Sequence, residues 1–275
     1  MIRSLTLALL VATPALAQDR IPSHCIALAQ NGAQNGARNG AQVVQVAFGD
    51  PLAADAVRLR YIDHATFLLE TAGGLTVATD HTGYLGPRDL VPDVVTMNNA
   101  HSTHWTASPD PRIPHVLRGW ADAAGPANHR LDLGEMLVRN VTTDVRSRFG
   151  DDSRRDGNSI FIFEVAGLCI GHLGHLHHVP DDAQFAAIGR LDVVMVPVDG
   201  GFTMNVADMA DVVRRLRSSV VVPMHWFSGA SLEVFLAEMA GAFEVVRPEL
   251  SEIELSLDNL PRRPTILVLE PEYLE

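Results

Sequence analysis

The chain has 275 residues, 47% of them apolar and 20% charged, a globular composition with ample length for a buried core. Its 21 cations are all Arg and face 33 carboxylates, for a formal charge of −12. With no Lys anywhere, a Schiff-base lysine, a phosphate loop ending in Gly-Lys and a Ser–Lys pair are excluded, and the acidic balance argues against nucleic acid as a partner. Residues 1–17 read as a Sec-type signal peptide: Met1-Ile2-Arg3 starts it, Leu5 to Ala12 is its apolar core, and Ala15-Leu16-Ala17 is the cleavage site. Cleavage after Ala17 makes the mature protein periplasmic or secreted. That apolar run is too short to span a bilayer, and no later stretch is long enough. Residues 18–55 read as an N-terminal tail and linker, with Asn-Gly-Ala stuttering between Gln30 and Gln42. Deleting residues up to about Gln42 is therefore expected to leave the fold intact. The two cysteines need not meet: Cys169 reads as a core residue, and Cys25 is left open.

Residues 56–275 form the folded domain. Val57–Ile62, Thr66–Thr71 and Leu75–Thr79 are short β-rich runs, with Ala72-Gly73-Gly74 as a turn. Asp93–Met97, Leu137–Thr142, Ser159–Val165 and Leu168–His172 continue the strands, and the stretch from Asp144 to Asn158 is loop-like. Strands and helices then alternate: helix Asp181–Ile188, strand Asp192–Pro197, helix Val206–Arg217, strand Ser219–Pro223 and helix Ser231–Ala240. Strands Phe243–Val246 and Thr265–Leu269 finish the chain. Asn205 is placed to cap the second helix, whose last turn carries Arg214, Arg215 and Arg217. Sheets with helices packed outside them are implied.

The twelve histidines are not scattered. His101 and His104 follow one strand, His172, His175, His177 and His178 a second, and His225 a third. Strand ends of one sheet share an edge, so three of them delivering imidazole to one place is the geometry of a metal site. A lone histidine is more often a surface or hydrogen-bonded core residue. His24, His81, His115 and His129 are read that way.

The motifs in order resemble the metallo-β-lactamase superfamily, in the branch that contains ascorbate-phosphate lactonase and the N-acyl-phosphatidylethanolamine phospholipase. The opening hairpin is His64-Ala65-Thr66-Phe67-Leu68-Leu69-Glu70 with Gly73-Gly74 and Asp80. Pro92-Asp93-Val94-Val95-Thr96 leads into the place of the HxHxDH motif, and Leu173-Gly174-His175 falls at the Gly-Asp metal-bridging turn. Pro197 to Met204 resembles the Gly-Gly-x-Thr-Met loop, and Val222-Pro223-Met224-His225-Trp226 the terminal metal histidine. The resemblance implies an α/β (α+β) fold, a four-layer αββα sandwich. The departures are specific: Asn99 and Thr103 replace a His and the Asp of HxHxDH, and His175 replaces the bridging Asp. Asp144 is the nearest match to the third histidine. The implied metal ligands are His101, His104, Asp144, His175 and His225, with His64, Asp80, Asn99 and Thr103 as supporting candidates.

The expected activity is that of an exported metal-dependent hydrolase attacking an ester, lactone, amide or phosphodiester bond of a small molecule. His178 or His177 serves as proton donor to the leaving group. One carboxylate among neutral histidines leaves two divalent ions poorly neutralised, so one tight zinc ion is expected, with a second weak or absent. Two histidines and a carboxylate also suit a mononuclear iron oxidoreductase, and a degenerate centre suits a non-catalytic binding protein. Residues 105–132, with Trp105 and Trp120, are the expected lid or wall over the cleft. Nothing in the sequence indicates an oligomeric state.

Overall fold

Short β-branched runs punctuated by Gly, Pro and Asn build two sheets that share one core. The computed structural model describes residues 23–26, 48–146, 153–227 and 229–275. The expected signal peptide and the Asn-Gly-Ala repeat lie outside the described residues. In chain order the strands begin with β1 (Ala56–Asp63), β2 (Thr66–Thr71), β3 (Thr76–Ala78), β4 (Val94–Met97) and β5 (His115–Arg118). Next come β6 (Arg130–Asp132), β7 (Met136–Arg146), β8 (Ser153–Val165) and β9 (Leu168–His172). The second half runs α1 (Asp182–Ile188), β10 (Val193–Pro197), α2 (Val206–Leu216), β11 (Val220–Met224) and α3 (Ala230–Glu238). It closes with β12 (Glu244–Val246), β13 (Glu252–Ser256) and β14 (Thr265–Leu267).

One sheet has the order β13-β1-β2-β3-β4-β5 and the other β12-β14-β11-β10-β9-β8-β7-β6. Period-two alternation sorts their side chains between layers. Phe161 and Phe163 of β8, with Val193 and Met195 of β10, face Leu59, Phe67 and Leu69 of the first sheet in the central core. Their neighbours Ile160, Ile162, Val194 and Val196 face outward, under Met209, Val213, Phe235 and Leu236 of the helices. A strand buried on both faces must be apolar throughout, which is why β10 and β11 read as unbroken Val-rich runs.

The three helices among the described residues cover the second sheet. The Asp181–Gln184 capping box starts α1, and Asn205 accepts the Asp208 N–H at the start of α2. On the outer face of the first sheet, Leu68, Ala78, Val95 and Met97 are covered instead by Leu85, Ile113, Leu274, Trp105 and Trp120. The sandwich has the expected sheets, but among the described residues this outer layer is loop and terminus rather than helix.

Residues 105–132 are not a lid. They supply β5, which pairs in parallel with β4, and β6, which pairs with β7, while Trp105 and Trp120 pack edge to face at 5.5 Å. The stretch from Asp144 to Asn158 is largely strand, since β7 runs to Arg146 and β8 starts at Ser153. β13, a strand the sequence reading does not include, carries two acids in Glu-Ile-Glu-Leu-Ser. Its register sets Glu252 against Arg60 and Glu254 against Arg58, so the outward acids meet cations across the strand.

Residues 23–26 are anchored to the second sheet. Cys25 forms a disulfide with Cys169, against the expectation that Cys169 is simply a core residue. Around it Ser23 Oγ and the His24 N–H donate to Glu164, which also accepts from Arg139 Nε at 2.7 Å. Arg190 N–H donates to the Cys25 carbonyl. Gly189, at φ 76°, sits so close that a Cβ there would come within 2.5 Å of that oxygen.

Candidate metal centre

Six chain segments leave the sheets at one edge and bring polar side chains together. His64 lies in the β1–β2 turn, Asp80 follows β3, His101 and His104 follow β4, His175 and His177 follow β9, Asp199 follows β10, and His225 follows β11. Ligand nitrogens of His64, His104 and His225 all lie within 4.8 Å of one another. Backbone contacts hold this arrangement: the His225 N–H and the Tyr61 hydroxyl both donate to the His64 carbonyl, at 2.8 and 2.7 Å. His64, Asp80 and His225 adopt left-handed conformations, with φ of 46°, 44° and 59°. Three such non-glycine residues converging here is strain of the kind retained at functional sites.

Each of two histidines has a carboxylate behind it. His104 Nδ1 lies 2.6 Å from Asp80 Oδ2, and Asp80 Oδ1 accepts the Asn98 N–H at 2.7 Å. His225 Nδ1 lies 3.0 Å from Asp199 Oδ2, although its angle falls short of a hydrogen bond. Asp199 Oδ1 in turn accepts the N–H groups of Gly201, Phe202 and Thr203. A carboxylate facing Nδ1 favours the proton on that nitrogen and leaves a lone pair on Nε2. The two Nε2 atoms face each other at 3.2 Å.

Two lone pairs at that distance repel, unless a cation lies between them. Two ligands on a tetrahedral ion with bonds of about 2.0 Å stand roughly 3.3 Å apart, so the observed spacing fits. His64 Nε2 and His175 Nδ1 are also buried without a hydrogen-bond partner. The residues present fit a divalent cation.

Burial keeps the donors in their ligand form. It is the main cause pushing His64 down to about 3, with His225 and His104 adding to it. His104 and His175 are held well below the usual histidine range, first by burial and then by neighbouring histidines. Asp80 is pushed up to about 7 by burial, against His172, the Asn98 N–H and His225. For Asp199, burial acts upward but is outweighed by His225, Thr203 and the Gly201 N–H, which keep it ionised.

The expected residues separate on inspection. His101 stacks on His175 at 5.5 Å and meets Thr103 Oγ1 at 3.1 Å, and both rings line an adjoining cavity of about 810 Å³. Asn99 accepts from Arg154 Nη2 at the cavity wall. Asp144 is not in the cluster: it accepts the Asp156 N–H at 2.9 Å, where the β7–β8 ladder shifts register. His177 lines the cavity, accepting the Arg146 N–H on Nδ1, whereas His178 is exposed and outside the lining. Asp199 was missed. Its signal was the one used for histidine, a metal-competent side chain directly after a strand, here before Gly200-Gly201.

His81, read as an ordinary histidine, is buried with Nδ1 unpaired. Burial alone pushes it down to about 4. Its folded value lies below the unfolded one near 6.5, so the unfolded chain binds the proton first and stability is lost as pH falls from about 6.5 towards 4. Urea unfolding at pH 7 and pH 4.5 should show His81→Gln losing about 2 kcal/mol less than the parent chain over that interval. Equal losses in both proteins would show that His81 does not contribute to acid lability.

The chain is similar to known proteins over most of its length. A family model described as "Beta-lactamase superfamily domain" matches residues 58–225. A UPF0173 metal-dependent hydrolase of Methanospirillum hungatei is 24% identical over 235 residues, covering 78% of this chain and 96% of its own. A UPF0173 protein of Pyrococcus furiosus is 35% identical over 201 residues, covering 66% and 90%. Among solved structures, a metallo-beta-lactamase superfamily protein from Thermotoga maritima, provisionally assigned as a Zn-dependent hydrolase, aligns with a TM-score of 0.55 and 26% identity. The alignment covers 78% of this chain and all of that one. A metallo hydrolase from Ignicoccus hospitalis, 18% identical with a TM-score of 0.54 over 79% of this chain and 96% of its own, shares the fold. With the matched segment running from β1 to the terminal histidine of the cluster, the chain belongs to the beta-lactamase superfamily and is a metal-dependent hydrolase.

Proposed function

We propose that this protein is exported, holds one zinc ion on His64, His104 and His225, and hydrolyses an ester, lactone, amide or phosphodiester bond of a small molecule bound in the adjoining cavity. The observation that carries this reading is the facing pair of Nε2 atoms, 3.2 Å apart with a carboxylate behind each ring. A bound divalent cation supplies Lewis acidity, acidifying water and polarising a carbonyl or phosphoryl oxygen. The chain's own groups do the remainder. Asp80 and Asp199 fix the tautomer and tilt of His104 and His225.

His177 accepts the Arg146 N–H on Nδ1, so its proton sits on Nε2, where it has no hydrogen-bond partner. Burial, then Arg146 and His178, push His177 down to about 4, against Asp199 and the Phe202 backbone. A ring that is neutral at pH 7 is a poor proton source but a fixed N–H donor, suited to an oxygen that gains charge.

Charge supports a single ion. Two carboxylates around neutral histidines balance one divalent cation and leave roughly two excess charges for a second. Three histidines with an open position suit zinc, whereas the iron reading needs a carboxylate in the ligand set. Asp80 and Asp199 sit behind the rings, and Asp144 lies elsewhere. The provisional zinc assignment of the Thermotoga maritima protein supports the metal. The Cys25–Cys169 disulfide supports export, because such bonds persist in oxidising compartments.

Purified protein should carry one zinc per chain and turn over at least one substrate in a panel of esters, lactones, amides and phosphodiesters. Chelation should abolish turnover, and zinc should restore it. Stoichiometric iron with oxygen consumption would favour the oxidoreductase, and a fully metal-loaded chain inert to the whole panel would favour the binding protein.

A further inference from the structure

The cavity beside the centre is electrostatically unlike the rest of this acidic chain. Its described lining contains no Asp or Glu, while Arg146 and Arg154 stand in its wall. Arg146 is in no ion pair with a described residue. Its Nη2 donates to the carbonyls of Gly201, Phe202 and Thr203, which are uncharged, so its positive charge is held in place and no described residue neutralises it. The nearest carboxylate on this loop, Asp199, has its side chain buried and is committed to His225, Thr203 and three N–H groups. A fixed cation in a cleft whose described lining carries no acid attracts and retains anions.

The opposite character appears at the rim. Phe202 and Phe227 are 69% and 63% exposed, and their rings meet edge to face at 5.6 Å. Both line the same cavity as Arg146. Two large aromatic side chains left in water beside a cleft form a platform for an apolar partner. Arg146 also fixes this platform, since it holds the Phe202 carbonyl directly.

The geometry points to a substrate that is an anion with an apolar arm: a carboxylate- or phosphoryl-bearing molecule whose charge pairs with Arg146 and whose aryl or acyl arm lies on Phe202 and Phe227. This rests on the hydrolase reading for the reaction, but not for the binding. Anion recognition by guanidinium is shared by carboxylate and phosphoryl groups, so the probes separate them.

Calorimetric titration of the metal-loaded full chain with phenylphosphonate, phenylacetate, methylphosphonate and benzyl alcohol tests the proposal without turnover. At least one of the two aryl anions should bind about tenfold or more tightly than benzyl alcohol. Phenylphosphonate binding ahead of phenylacetate identifies a phosphoryl substrate, and the reverse order a carboxylate. Arg146→Gln should weaken the favoured anion about tenfold and benzyl alcohol, which feels only the loosened platform, by no more than about twofold, with Arg146→Lys recovering part of the loss.

Phe227→Ala, a surface change that spares the fold, should weaken the aryl anions several-fold without moving methylphosphonate. No heat with either aryl anion, or affinities unchanged within about twofold in Arg146→Gln and Phe227→Ala, would overturn the proposal. Binding without hydrolysis of any panel substrate would count against the hydrolase reading alone. Neutral esters cleaved as fast as anionic ones would count against the anionic substrate alone.

Discussion

Replacing His225 by Ala is expected to strip the tight cation from the protein and take hydrolysis with it. The loss of metal affinity should exceed the roughly 10- to 100-fold typical of an outer partner, which is the range expected for Asp80→Asn. The fold should survive, because the contact that joins β11 to the β1–β2 turn is the backbone N–H of residue 225, not its ring. The metal-free variant should even be no less stable than the metal-free parent, since it no longer buries two lone pairs facing each other at 3.2 Å. Added zinc should raise the melting temperature of the parent alone, by about 2.7 kcal/mol of stability at a hundred times its dissociation constant. His64→Ala and His104→Ala should behave alike.

His175→Ala separates the two possible arrangements of the centre. If the triad is the whole ligand set, that variant keeps most of its metal. Metal loss as complete as in His225→Ala would place His175 among the ligands instead. Equal metal per chain in the parent, His64→Ala, His104→Ala and His225→Ala would sink the triad outright.

Breaking the Cys25–Cys169 bond is expected to produce the largest stability effect outside the centre. The bond spans 144 residues of sequence, and chain-entropy reasoning for a loop of that length gives an upper figure of about 5 kcal/mol. Native bonds usually contribute about 2–4 kcal/mol, so Cys25→Ser should lower the melting temperature by roughly 5–15 °C for a domain of this size. Truncation up to about Gln42 should cost at least as much. It removes the bond together with Ser23 and His24, and leaves Glu164 with Arg139 as its partner. Cation content should not change, because Cys169 lies near the start of β9 and the cluster beyond its other end. Identical unfolding curves with and without a thiol reductant would show that the bond does not stabilise the domain.

Much of this architecture was legible in the residues. Alternating and fully apolar runs marked most of the sheets, because a strand between two layers must be apolar on both faces. Asn205 and the terminal arginines marked α2 for equally local reasons. β5, β6 and β13 were not legible, since strands of three to five residues depend on what lies beside them. The acids of β13 are tolerable only because Arg58 and Arg60 stand opposite.

The centre divides along the same line. The sequence by itself determined that metal-competent histidines follow three strands. Only the tertiary structure decided which of them face one another. It set His64 beside His104 and His225, put Asp80 and Asp199 behind the rings, and left Asp144 on a strand backbone amide. It also joined Cys25 to a strand 144 residues away. Spacing along a chain constrains neighbours within one element. Distances between elements are set by sheet order and layer packing, which depend on contacts distributed over the whole core.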